Sequence, residues 1–174
     1  MVPDDSEYPE YEDYRLEKTG VLRLLYLEGE GPLTEEKMVE ERGRVDQYLR
    51  ESPCLETADG NFYFYFFPRQ KKYWAGLGVV GILNGVMKAP FFLKDFPRGL
   101  AFSFPLNQAP SWEVDFREKY AKVLEKKGIG VGEAFRWRLQ TSLVEEHFSL
   151  AGTLQFFLKN QTPLLPNESS GPLS

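Results

Sequence analysis

Apolar and polar positions follow two periods along this chain, and the switches between them outline its elements. Val21 to Leu27 is apolar except for Arg23, which predicts a buried strand. Gly29, Gly31 and Pro32 break it. From Thr34 to Glu51 the period becomes helical. Met38, Val45, Tyr48 and Leu49 share one face, Thr34 is placed to cap the N-terminus, and Glu35 and Glu36 sit where the helix dipole favours acids. Gly43 weakens this helix by about 1 kcal/mol, and Pro53 stops it. Asp59-Gly60-Asn61 reads as a turn. Phe62 to Phe67 is an unbroken aromatic run, a strand buried on both faces. Pro68 to Lys72 turns the chain, and Tyr73 to Gly81 is the hairpin partner.

The same order then recurs. Gly99 to Phe104 predicts a strand, and Gln108-Ala109-Pro110 a loop. Ser111 caps a helix to Lys127, with Trp112, Phe116, Tyr120, Val123 and Leu124 on its apolar stripe and Gly128 just past its end. Glu133 to Leu139 and Thr153 to Leu158 are two further strands. Between them Ser142-Leu143-Val144-Glu145 matches a capping box. At an offset of roughly 78 residues Met38 coincides with Phe116, Val45 with Val123 and Leu22 with Leu100.

The expectation is an α+β domain made of duplicated strand–helix–strand–strand repeats. Paired about a pseudo-twofold axis, their antiparallel sheets leave a central cleft, the ordinary place for a ligand. Residues 1–13 read as an acidic flexible arm, 14–81 as the first repeat, 82–97 as a connector, 98–159 as the second repeat and 160–174 as a disordered tail.

Composition narrows the function. A net charge of −5 argues against direct nucleic-acid binding, which needs a basic face. No apolar run is long enough to span a membrane and the first twenty residues are acidic and polar, so neither a membrane anchor nor a signal peptide is expected. Cys54 is the only cysteine, which fits a cytoplasmic protein without internal disulfides. No metal or cofactor is expected: His147 is the only histidine, and no ligand spacing accompanies it. The glycines of Gly76-Leu77-Gly78-Val79-Val80-Gly81 resemble a dinucleotide fingerprint, but no strand–helix alternation follows, so they read as close packing within a strand.

An aromatic share of 15% leaves enough rings for both a core and a stacking pocket. On the strand from Glu133, one face carries Glu133, Phe135, Trp137 and Leu139, while Ala134, Arg136, Arg138 and Gln140 read as the wet face. A carboxylate heading an aromatic face is the leading chemical candidate: it would hold a ligand cation or activate water. Trp112, Trp74 and Trp137 are candidate stacking walls. Tyr63 and Tyr65 share a face opposite Phe62, Phe64 and Phe66, and their hydroxyls make that face the likelier cleft wall. Tyr26, with Glu28, ends the first strand and joins the candidates.

Three local patterns resemble the gyrase-inhibitor-like family, also called the bacterial effector-binding domain. Gly29-Glu30-Gly31-Pro32 is similar to its loop between first strand and helix, Glu133-Ala134-Phe135 to its glutamate-and-aromatic strand, and Thr153 to Leu158 to its closing strand. Phe135 stands where the family more often has Tyr, and Gln140-Thr141-Ser142 lacks its usual Asn/Asp-Pro turn. The resemblance implies a cleft that binds small aromatic molecules, often cationic or amphipathic, with Glu133 and Phe135 at the ligand. It also implies two alternatives: a hydrolase using Glu133 on an electrophilic small molecule, and a protein-interaction module.

Overall fold

The computed structural model describes residues 14–82, 87–106, 114–140 and 152–158. These contain eight strands: β1 (Arg15–Thr19), β2 (Leu22–Glu30), β3 (Leu55–Phe67), β4 (Lys72–Gly81), β5 (Phe91–Phe96), β6 (Gly99–Leu106), β7 (Val131–Gln140) and β8 (Gly152–Leu158). Two helices accompany them, α1 (Glu35–Arg50) and α2 (Val114–Glu125). The acidic arm, Trp112, Ser111, the capping box with His147 and the C-terminal tail lie outside the described residues.

The strands form one antiparallel sheet in the order β1-β6-β8-β7-β3-β4-β2-β5. That order is symmetric about the β3–β7 seam, where β2-α1-β3-β4 faces β6-α2-β7-β8. This is the duplicated α+β architecture expected of the sequence. Thr34 caps α1, its side chain accepting from the Lys37 amide at 3.1 Å, and Met38 and Val45 are fully buried beneath it. On α2, Tyr120 packs edge-on to Phe104 and stacks on Phe156, and Phe116 leans on Phe135. Both helices therefore cover the same side of the sheet, over Phe62, Phe64, Phe66, Phe135, Trp137 and Leu154. Among the described residues no helix is long and apolar enough to cross a membrane.

Three features depart from the sequence expectations. Asp59-Gly60-Asn61 is no turn: β3 runs through it, with a register shift between Thr57 and Phe62 and Gly60 at φ +77°. Four residues of β3, 58–61, there face one residue of β4, Gly78, and an irregularity of that kind uses a conformation that glycine supplies at little cost. Two strands, β1 and β2, precede α1, where the sequence predicted only the one from Val21 to Leu27. The connector 82–97 contains a strand, β5, bracketed by Pro90 and Pro97.

The side of the sheet away from the helices has its own core of Leu22, Leu24, Tyr26, Tyr63, Tyr65, Phe67, Trp74 and Ala134, with Phe96 packed on it. In a flat sheet β3 and β5 would lie three strand spacings apart, about 14 Å. Yet Phe96 of β5 stacks on Tyr65 of β3 with centroids 5.0 Å apart and planes 11° from parallel. The sheet therefore curls toward its helix-free side. Gly76 of β4 permits that curl, since a Cβ there would run into the Leu25 carbonyl oxygen.

Candidate functional site

One row of residues crosses the inner, helix-free face from strand to strand. Register places Glu28 beside Trp74, Trp74 beside Tyr65, Tyr65 beside Arg136, Arg136 beside Gln155 and Gln155 beside Ser103. Its chemistry changes at the pseudo-twofold seam. The first repeat contributes rings, and the second contributes charge and hydrogen-bonding groups.

On the aromatic half, Tyr26 stacks on Trp74 at 4.5 Å and on Phe92 at 5.4 Å, while Phe67 and Tyr65 pack around the same indole. The Trp74 indole N–H donates to Glu28 at 3.4 Å, and Lys72 lies 3.7 Å from the same carboxylate. Burial drives the Tyr26 phenol well above its ordinary pKa, with a further push from Glu28. Burial likewise raises Tyr65, against the pull of Arg136. Both phenols therefore stay protonated at neutral pH.

On the polar half, Arg136 is only 5% exposed. Its Nε donates to Gln155 Oε1 at 2.6 Å and its Nη1 to the Tyr65 hydroxyl at 2.9 Å. The guanidinium carbon lies 4.9 Å from the Tyr63 ring centre, 5.6 Å from Tyr65 and 5.0 Å from Phe157. Gln155 passes the network on, its amide donating to Glu17 Oε1 at 2.9 Å. Ser103 donates to the same oxygen and Arg138 donates to Glu17 Oε2 at 3.0 Å. Burial pulls the Glu17 carboxyl pKa up, but these donors outweigh it and hold the group below its ordinary value. Next to this network a hollow of about 240 Å³ is lined by Arg15, Ser103, Phe104, Pro105 and Thr153.

Of the sequence candidates, the structure brings Tyr26, Tyr63, Tyr65 and Trp74 together on the inner face. Phe135 and Trp137 go to the helix side; Phe135 stacks on Phe66, and the Trp137 indole donates to the Leu106 carbonyl at 3.2 Å. Glu133 lies in the irregular stretch where β7 and β8 lose register. Its side chain is 42% exposed and 3.7 Å from Arg69. Trp112 lies outside the described residues. The face read as wet is the reverse: Ala134 and Arg136 are buried on the inner side, with Arg138 half-buried. Arg136, Gln155 and Glu17 were not candidates. The available signal was the tyrosine pair: hydroxyls at alternate positions of a buried strand require polar partners on the next strand.

No protein-family model matches the chain, and no curated protein is significantly similar to it. Solved structures do match. The chain of an EcmrR–DNA complex aligns at TM-score 0.64 and 12% identity, over 91% of this chain and 65% of that one, so the present chain spans about two thirds of its length. The EcmrR C-terminal domain aligns at 0.60 and 10% identity, over 84% of this chain and 96% of that domain. An uncharacterized conserved protein from Listeria innocua aligns at 0.50 and 11% identity, over 88% of this chain and 97% of that one. SAV2435, whose structure is bound to tetraphenylphosphonium, aligns at 0.47, too loosely to carry anything over. The fold is thus the one that the EcmrR C-terminal domain has.

Proposed function

We propose that this protein binds a small aromatic, amphipathic molecule against the inner face of its curled sheet. The observation that supports this most is the division of that face. Rings of the first repeat meet a hydrogen-bonding network of the second along one continuous row. A molecule with a flat apolar body and a polar end matches such a surface: ring stacking holds the body, and the polar groups orient it. The row crosses the β3–β7 seam between the two repeats, and that position supports the reading.

The hydrolytic alternative draws little from the geometry. Glu133 is half-exposed beside Arg69, whereas the inner-face carboxylate Glu17 already accepts three hydrogen bonds.

Binding of aromatic amphiphiles is expected to raise the unfolding temperature and quench tryptophan emission. Tyr63→Leu is expected to weaken binding about tenfold, the loss of one stacked ring. A broad panel that neither shifts unfolding nor changes emission would remove this reading.

A further inference from the structure

The sign of the ligand's charge follows from which charges on the inner face are already matched. Glu28 stands beside Lys72 at 3.7 Å. Glu17 is paired with Arg138 at 3.0 Å. Arg136 pairs with no carboxylate among the described residues: its hydrogen bonds run to an amide oxygen and a phenol, both neutral. Its cation is instead held among the rings of Tyr63, Tyr65 and Phe157. Arg15 adds a second positive group, exposed at the rim of the adjacent hollow with Ser103 and Thr153. Among the described residues the polar half therefore carries a surplus of positive charge, in a chain whose overall charge is −5.

We propose that Arg136 is a built-in cation that fills the aromatic box of this face, so that the site takes aromatic ligands with an anionic end and rejects aromatic cations. This rests on the small-molecule reading above and gives the ligand its charge. The rings that would attract a cation already hold one. A second cation would meet an unscreened like charge, because salt screens buried groups poorly. A carboxylate or sulfonate would gain charge-assisted hydrogen bonds from donors already positioned. The hollow lined by Arg15, Ser103 and Thr153 gives such a group room on the polar side.

The test uses tetraphenylborate and tetraphenylphosphonium, which match in shape and differ in the sign of charge. The full-length protein is titrated with each at constant ionic strength by calorimetry. The borate is expected to bind at least about tenfold more tightly. Arg136→Met is expected to bring the two affinities within about threefold of each other. Arg15→Gln, at an exposed position, is expected to narrow the gap by a smaller factor. Wild-type protein that binds the phosphonium as tightly as the borate overturns the charge proposal and leaves the binding surface standing. A preference unchanged in both variants overturns the assignment to these arginines. If neither ion binds the wild-type protein, the small-molecule reading itself is lost.

Discussion

Arg136 and Glu133 are three residues apart on β7, and their fates are opposite to those expected from the sequence. The arginine is buried and the glutamate is half-exposed. Tyr65→Phe would leave the Arg136 Nη1 donor without its partner inside the fold, a loss of about 1–3 kcal/mol, measurable by denaturant unfolding. Glu133→Gln removes only a long, solvated pair with Arg69 and should change stability by less than about 0.5 kcal/mol. Glu17 ties stability to pH. Its carboxyl titrates below its ordinary value in the folded chain, so its ionised form favours folding above that ordinary value. The contribution fades as pH falls from the ordinary value of 4.5 through the lower folded value. Unfolding midpoints should therefore drop more steeply across that window in the wild type than in Glu17→Gln, and parallel curves would reject the assignment. Alternation along β7 showed that two faces exist, and that much was legible. It could not show which face the helices cover, because both faces are buried and only the pairing with β3 places Arg136 opposite Tyr65.

At the scale of elements, long runs with a clear period were legible. The spacing of Met38 and Val45 located α1, and the aromatic run located β3. What failed were signals with two physical solutions. Asp59-Gly60-Asn61 has the chemistry of a turn, but the same positive φ at Gly60 also serves a bulge within a strand. The edge strands β1 and β5 escaped because short strands with half-exposed charged residues lack clean alternation. The glycines of β4 were legible as packing devices, and the curl of the sheet shows what they pack. Gly76→Ala would drive a methyl group into the Leu25 carbonyl. It should cost about 1–3 kcal/mol or more and separate β2 from β4, with faster hydrogen exchange at the amides of Leu24 to Leu27. Unchanged exchange there would mean that the curl does not depend on this glycine.

The whole molecule is more interlocked than two repeats side by side. β1 immediately precedes β2, yet it pairs with β6 of the second half. β5 immediately precedes β6, yet it pairs with β2 of the first. Each half has lent its leading strand to the other, so the repeating unit is strand–strand–helix–strand–strand with its first strand exchanged. The polar half of the inner face depends on this loan, since Glu17 reaches Gln155 and Arg138 from β1. The aromatic half depends on it equally, since Phe96 reaches Tyr65 from β5. A chain divided between β4 and β5 should therefore give two pieces that each lack an edge strand and expose one side of the β3–β7 seam. Neither piece alone should unfold cooperatively. Mixed at equal concentration, they should recover the sheet, the cooperative transition and the stacked environment of Trp74 in near-ultraviolet circular dichroism. A single half that folds and unfolds cooperatively by itself would show that the exchanged strands are ornaments on autonomous repeats, and the inner face would then have to be explained without them.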